Sequence, residues 1–446
     1  MSRWPVAGTL LERLQCDNIT RLWVVYTDYS GLSHAKFVPP ERFDDAIAHG
    51  IGFANANMDF NILDHQVPHP RLAADTGDFR AVPDPSTYAL LPYAKGHARV
   101  FAYLHTPDEG RWQGCPRSAL ERIVHRYQHC GLAVQAAFEP ECTLFARTPE
   151  GIVPADTSRM FSVEGLDRHL ELMDSLVASL GAMGVVLEQV GAEYGPAQYE
   201  ISVRHNEPMQ AADDLLTLKE TLKALARRAG LIASFMPKPF AEMPGCGLHV
   251  HLGLRRADGE NALAGNGPST LGSTGRSFVG GLLAHARGLC GIGAPTVNSY
   301  KRLLPGSWSP AHIVYGAGNR AALVRIPQGG ALHVEFRAGD NTSNPHLFLA
   351  GLLAAGLDGI EGDLDPGDAV TGDIGHLCTD EAAAQGISLL PRSARDALDA
   401  VEADTVLMDA LGSVIGPAFL RVKRSELEAY ELEVTDWERA TYLETV

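Results

Sequence analysis

Thiol chemistry is the first thing this chain does without. Its seven cysteines, Cys16, Cys115, Cys130, Cys142, Cys246, Cys290 and Cys378, contain no CxxC pair and are odd in number. That excludes a disulfide framework and predicts a reducing, cytoplasmic setting. Long apolar runs are also missing: the longest candidate, around residues 278–294, is interrupted by His285 and Arg287, so no membrane span is expected. The leading MSRWPVAGTLLERL carries its charge after the apolar stretch and has no signal-like apolar segment. Positive charge is scarce, and a net charge of -17 disfavours nucleic acid or an anionic membrane as partner. GxxxxGK[ST] is absent, and the GxG stretches lack the strand-and-helix setting of a dinucleotide loop. Any nucleotide must therefore be held by a local cationic patch or by bridging metal ions. There is no repeat of fixed period and no low-complexity tract.

What is present is a folded composition, 45% hydrophobic and 20% charged. A length of 446 residues suits one small and one large domain. LWVVYTD and HAKFVP read as two strands joined by YSGLS and followed by a helix in ERFDDAIAHG. Residues 61–114 are rich in Pro, Asp and Gly and read as loop, ending at a boundary where the amphipathic PRSALERIVHRYQHC begins. This divides the chain into domains 1–113 and 114–446. The larger domain alternates strands with helices.

Three strand-like runs share one device, metal-competent or charge-binding side chains at i and i+2. They are Glu139 and Glu141 in AVQAAFEPECTLF, His249 and His251 in GLHVHLGL, and His333, Glu335 and Arg337 in ALHVEFRAG. On a strand such residues project from one face. A solvent-facing polar side would explain any one of them. Three sets rich in Glu and His point instead to a bound cation beside an anionic ligand, since buried charges need compensation.

The segment EYGPAQYE adds Glu193 and Glu200, so that with Glu335 and His249 there are five carboxylates and an imidazole. That inventory suits two hard divalent cations, Mg²⁺ or Mn²⁺, better than zinc. Arg302 in NSYKRLLPG, Arg320 and Arg325 in GNRAALVRIP, and Arg337 supply forks matched to phosphate and carboxylate. Metals, arginines and carboxylates are the parts of phosphoryl transfer.

FEPECTLF, EYGPAQYEI, FMPKPF followed by PGCGLHVH, NSYKRLLPG, GNRAALVRIP and HVEFRAGD occur in this order. Together they resemble the glutamine synthetases of the type I, bacterial class and their glutamate–amine ligase relatives. The resemblance implies an α+β chain: a small N-terminal β-grasp domain and a large catalytic domain whose curved sheet forms an open barrel flanked by helices. It implies subunit rings stacked as a dodecamer, with sites between neighbours. By motif, Glu141, Glu193 and Glu200 resemble the ligands of one metal, and Glu139, His249 and Glu335 those of a second. Gly245, His251, Arg302 and Arg337 resemble residues around L-glutamate, His251 also lying close to the transferred phosphate. Arg320 and Arg325 match phosphate-contacting arginines, Arg320 with a catalytic part, and Glu188 a nucleotide-site glutamate. Asp28 in YTDYSG matches the aspartate that a neighbouring subunit lends to the ammonium site as proton acceptor.

The resemblance implies that ATP phosphorylates the γ-carboxylate of glutamate and that an amine then displaces phosphate. Where true glutamine synthetases carry a flap glutamate, in a stretch like PGYEAP, this chain reads PGSWSP with Trp308. An aromatic wall disfavours ammonium and suits an amine bearing an organic group, including an aromatic one. Pro244 and Cys246 stand where Asn and Ser are familiar, and His333 replaces an arginine near the nucleotide phosphates. No counterpart of the adenylylated tyrosine segment is found. A true ammonia-using synthetase, a catalytically inactive ring protein and a metal-dependent hydrolase remain as rivals, the last leaving the arginines unexplained.

Overall fold

The computed structural model describes residues 9–446 apart from Glu109, Pro268 and Cys378. Residues 1–8 of the leading segment and Cys378 lie outside the described residues, while the rest of that segment enters the helix Leu10–Cys16. Two sheets organise the chain. The first holds β1 (Arg21–Thr27), β2 (Ser33–Val38), β3 (Ile51–Ala54), β4 (Asp78–Pro83), β5 (Ala89–Leu90) and β6 (His97–His105). Their order is β2-β1-β6-β4-β3, with β5 on β6, and the parallel pairing of β1 with β6 closes a β-grasp with the helix Phe43–His49. The turn from β1 to β2 is built by Asp28, whose Oδ1 accepts from the amides of Ser30 and Leu32. Gly31 in that turn has φ 73, and a Cβ there would meet the Ser343 carbonyl at 2.6 Å. Glycine is thus required both by backbone conformation and by the close approach of the large domain.

The loop expectation for residues 61–114 is corrected by β4 and β6. β6 is the central strand, and its HARVFAYLH is a nearly continuous buried run. A strand covered on both faces shows no alternation, and Pro83, Pro85 and Gly96 around it mimic loop composition.

The second sheet holds β7 (Leu132–Thr148), β8 (Gly151–Pro154), β9 (Leu187–Ala192), β10 (Gln198–Val203), β11 (Ile232–Ser234), β12 (Leu248–Arg256), β13 (Tyr315–Ala317), β14 (Val324–Ile326) and β15 (Val334–Phe336). The order is β13-β14-β15-β12-β7-β10-β9, curved into a nearly closed, barrel-like sheet. β7 is its spine: the first half pairs with β12 and the second with β10, β11 and β8. The helices Pro116–His129, Ser273–Ala284 and Pro345–Glu361 pack outside, the last buried along nearly its whole length.

One apolar core runs through both sheets. At their junction Arg117 reaches Asp84 at 2.8 Å and also Asp213, which lies 3.2 Å from His346 Nε2. By length and apolarity one described helical stretch, beginning at Thr405, could cross a membrane. Its helix Thr405–Glu431 bends at Gly412, contains Pro417, and half of the apolar window is buried in the protein, as in a core helix.

Candidate active site

Register assembles the site. Across β7 and β12, Glu139 faces His249; across β7 and β10, Glu141 faces Glu200. His251 on β12 faces Glu335 on β15, which faces Arg325 on β14. Directly opposed residues of antiparallel strands share a face, so five strands deliver their polar side chains to one place. The alternate residues Phe138, Leu248, Val250, Leu252 and Phe336 point the other way into the helix-covered core. The polar face is not solvent-bathed: side-chain exposure is 0% for Glu335, 9% for His249, 14% for Glu141 and 18% for Glu139.

His249 sits at the centre. Its Nδ1 lies 3.4 Å from Glu139 and 3.5 Å from Glu335, and its Nε2 lies 3.9 Å from Glu141. His251 Nε2 lies 3.5 Å from Glu139. Two tight donor groups result among the described residues, Glu139–Glu200–His249 and Glu139–His251–Glu335, each with ligand atoms within 4.8 Å of one another. Glu141 stands beside the first.

Charge crowding tests whether these groups suit cations. Glu200 is pushed up to about 9, first by burial and then by the charges of Glu139, Glu141, Glu193 and Glu335. Glu193 is also raised, by burial and then by Glu141, with Arg320 opposing. The cluster therefore carries more negative charge than its surroundings neutralise, and a proton or a cation must make up the difference. Hard oxygen donors with one or two imidazoles fit divalent cations of the Mg²⁺ or Mn²⁺ kind. Glu335 is the exception. Burial would raise it, but Arg337, His249, His251 and Arg325 hold it down at about 2. Burial would likewise raise Glu139, yet hydrogen bonds from His249 and His251 hold it well below the usual carboxylate range.

The arginines divide. Arg325 Nε and Arg337 Nη1, the latter at 2.5 Å, bracket the Glu335 carboxylate. Arg302 is buried and spends its guanidinium on the carbonyls of Gly339 at 2.7 Å, Arg337 at 3.2 Å and Cys246 at 3.4 Å. It thereby ties the segment after β15 to the entry of β12. Gly245 must be glycine there, because a Cβ would lie 2.6 Å from the Pro237 carbonyl and 2.8 Å from Arg302 Cγ. Arg320 alone of the four is exposed, lining a cavity of about 390 Å³ with Trp308, Asn319, Asp373 and His376.

A second cavity, of about 490 Å³, runs from Glu139, Ser202 and His251 past His333 to Glu188 and Arg255. It joins the carboxylate cluster to Glu188 in one volume. Asp28 stands apart: its carboxylate contacts Ser30, Leu32 and His34 of its own hairpin, His34 Nε2 at 2.8 Å.

A fourth i, i+2 set escaped the sequence reading. On β10, Gln198, Glu200 and Ser202 share the face: Ser202 donates to Glu139 at 2.7 Å, and Gln198 Nε2 lies 3.4 Å from Glu141 and 2.8 Å from the Gly245 carbonyl. The strand period was the available signal. Gly247, whose amide donates to Glu141 at 2.9 Å, and Asn341, which holds the Gly247 carbonyl at 2.9 Å, left no such trace.

A curved sheet that gathers a carboxylate cluster, arginines and an adjoining cavity has the parts of an enzyme site suited to divalent cations and to phosphorylated or carboxylate ligands. The chain belongs to the glutamine synthetase family. Residues 113–442 match "Glutamine synthetase, catalytic domain" and residues 7–116 match "Glutamine synthetase N-terminal domain". Among curated relatives, the glutamine synthetase of Halobacterium salinarum is 34% identical, the match covering 98% of this chain and 96% of that protein. That of Thermus thermophilus is 34% identical over 98% of both. Among solved structures, GmaS bound to ADP superposes with a TM-score of 0.87 at 33% identity, covering 98% of this chain and 100% of that one. A "novel glutamine synthase homolog" gives 0.83 at 31% identity, covering 94% and 96%.

Proposed function

We propose that this ATP-dependent ligase joins the γ-carboxylate of L-glutamate to an organic amine, giving a γ-glutamylamide, ADP and phosphate. The observation that carries the amine reading is Trp308. It is 76% exposed, has φ 60, and lines the same cavity as Arg320 at the position where the resemblance expects a flap glutamate. A bulky residue in left-handed backbone is strained, and strain of this kind collects at ligand-facing positions.

Phe161 repeats the pattern beside Glu193: φ 52, exposed, its amide bonded to the Glu193 carbonyl at 3.1 Å and its ring 6.4 Å from that of exposed Tyr194. Aromatic surface next to a carboxylate suits an alkyl or aryl amine better than ammonium. The likeness to GmaS, a gamma-glutamylmethylamide synthetase, supports this reading.

In the proposed reaction an oxygen of the glutamate γ-carboxylate attacks the γ-phosphorus of ATP as the bond to ADP breaks. The amine nitrogen then attacks the acyl carbon of γ-glutamyl phosphate, phosphate leaves, and the amine proton passes to a carboxylate, with Asp28 of a neighbouring subunit or Glu193 as acceptor. Cations of the Mg²⁺ or Mn²⁺ kind, two or more per site, would be held by Glu141, Glu193 and Glu200 and by Glu139, His249 and Glu335, and would screen the phosphoryl charge. Arg320 faces the migrating phosphoryl group, with Arg325 available once Glu335 turns to a cation. Gly245, His251, Arg302 and Arg337 shape the glutamate pocket, and Glu188 marks the nucleotide end of the larger cavity. We assign the β-grasp domain to residues 1–113 and the catalytic domain to 114–446. The working form is a cytoplasmic dodecamer, in which neighbouring subunits bring Asp28 to each site.

The names of the curated relatives favour a second reading, ammonia as acceptor. Phosphate release with glutamate, ATP and a panel of methylamine, ethanolamine, a polyamine, aniline and ammonia decides between them. The expected result is an organic amine giving the highest kcat/KM; ammonia outpacing all of them overturns the proposal.

A further inference from the structure

The hairpin that carries Asp28 holds a second titratable side chain with no place in the reaction above. His34 lies directly opposite Tyr26 in the register of β1 and β2, and β2 is the edge strand of its sheet. The rings of His34 and Tyr26 stack with centroids 5.2 Å apart and planes 25° from parallel, which fixes the imidazole plane. His34 Nε2 lies 2.8 Å from Asp28 Oδ2.

The two side chains are unequally fitted to take a proton. The Asp28 side chain is 8% exposed and its oxygens are occupied: Oδ1 accepts from the amides of Ser30 and Leu32, at 2.9 Å each, and Oδ2 from His34. A proton arriving on this carboxylate would have to displace one of those bonds. The His34 side chain is 38% exposed. A carboxylate only accepts, so the hydrogen of their contact sits on Nε2, and in the neutral ring Nδ1 keeps its lone pair. Among the described residues no hydrogen bond engages that nitrogen.

The other titratable groups beside the ring are already committed. Burial pushes the Tyr26 phenol up to about 12, and its oxygen accepts from Asn57 at 3.3 Å. Lys36, two residues along β2, turns its ammonium to the Gly52 carbonyl at 2.6 Å. β3, which meets Tyr26 through Phe53, carries no titratable side chain.

We propose that His34 is the general base for the acceptor amine and that Asp28 is its orienting partner. This rests on the proposed delivery of the Asp28 turn to a neighbouring subunit's site, and it moves the proton from the carboxylate to the ring beside it. An alkylammonium gives a proton to Nδ1, and the electron pair of that bond stays on nitrogen. The pair attacks the acyl carbon of γ-glutamyl phosphate, the bond from that carbon to the phosphate oxygen breaks, and the second nitrogen proton leaves with phosphate. Asp28 stabilises the imidazolium, the part a carboxylate plays behind a catalytic histidine. The exposed edge of the ring then returns its proton to water. An imidazole suits the step because its ordinary protonation falls near the working pH.

Two nucleophiles separate a base from a structural prop. Hydroxylamine is neutral near pH 7, whereas methylamine, like the lysine side chain, stays an ammonium until about pH 10. With glutamate and ATP at neutral pH, His34→Gln should cut kcat for methylamine about 10²-fold, with a far smaller loss of hydroxamate formation from hydroxylamine. The methylamine deficit should shrink as pH rises toward about 10, where free amine becomes abundant. Gln keeps a donor for Asp28 Oδ2, so circular dichroism and assembled size by gel filtration should match wild type. Equal losses with the two nucleophiles overturn the proposal, and so does a methylamine deficit that is constant with pH. A defective Asp28→Asn beside a fully active His34→Gln also overturns it, showing that the turn serves the site through its carboxylate alone. Should ammonia prove the better acceptor, the amine reading fails by itself; ammonium must also lose a proton, and ammonia then takes the place of methylamine in the same comparison.

Discussion

The carboxylate cluster and the Trp308 segment differ in how their geometry is fixed. At Glu335 an arginine on β14 and another just past the end of β15 grip one fully buried carboxylate, and its orientation follows from the register of β12, β14 and β15. Around Trp308 the described residues supply no such grip: the side chain is exposed, the backbone is left-handed, and the residue lies in the connection between the helix ending at Gly293 and β13. Strand register cannot slip by one residue without turning every ligand to the core face, whereas a loop residue can be exchanged at little cost to the fold. Glu139, Glu141, Glu200, His249 and Glu335 therefore sit on strands, whereas Trp308 sits in a connection.

Glu335→Gln should break that contrast most severely. The amide keeps the shape but leaves Arg325 and Arg337 without their anion and deprives the second donor group of a charge. Turnover is expected to fall by about 10²- to 10³-fold, and Mn²⁺ titration by calorimetry should show weaker binding. Retained activity would mean that Glu139 and His249 suffice and that the bracketed carboxylate is structural.

Asp213→Asn probes a buried ion cluster outside the site. Burial would raise Asp213, but Arg117, and then His346, hold it at about 2. Because the folded value is depressed below the unfolded one of about 3.9, its stabilisation is present above pH ~4 and disappears as pH falls toward 2. The variant should lose about 3 kcal/mol near neutral pH by leaving Arg117 underpaired, measured by denaturant unfolding. The gap from wild type should close in acid. A gap constant with pH would place the effect in packing.

Trp308→Glu tests the loop side. Stability should change little, while the ratio of kcat/KM for organic amine over ammonia falls by about 10-fold or more, the order reached by changing apolar contacts in a specificity pocket. Trp308→Gly separates the two properties further: removing a strained left-handed aromatic should leave unfolding free energy unchanged or raised by about 1 kcal/mol, yet still weaken organic-amine use. If Trp308→Gly destabilises the protein instead, the residue is a packing element and the contrast between strand and loop fails there.

The sequence displayed the strand half of this comparison because a period of two needs no tertiary information. Glu139, Glu141, His249, His251 and Glu335 could be placed on shared faces from spacing alone. Gln198 and Ser202 obey the same period without standing out, since amides and hydroxyls on strands are ordinary. The pairing of Glu335 with Arg325 depends on which strands lie side by side, and the His333–His251 contact depends on the loop before β15. Neither register nor loop path is written in one strand's own residues. β6 was hidden for the opposite reason, being apolar throughout and bounded by prolines and glycine.

The smallest expected effect concerns a joint on the helical side, far in character from both regions. His285 sits between Asp404 Oδ2 at 2.7 Å and Asp358 Oδ2 at 3.1 Å, clasping the start of the helix Thr405–Glu431 to the helix Pro345–Glu361. Its hydrogen bond to Asp404 raises it above the ordinary histidine value, against burial, with Asp358 adding to the rise. A raised folded value means that stabilisation is complete below the unfolded value of about 6.5 and fades as pH climbs through the folded one. The thermal midpoint of wild type should therefore exceed that of His285→Gln most clearly near pH 6, and the difference should shrink toward pH 9. Because Asp358 is substantially exposed, screening should make the effect modest and salt-sensitive. Activity per folded molecule should be the same in both proteins, since the clasp touches neither the carboxylate cluster nor the Trp308 cavity; a change in the ratio of amine to ammonia use would show that the helical layer also shapes the acceptor loop.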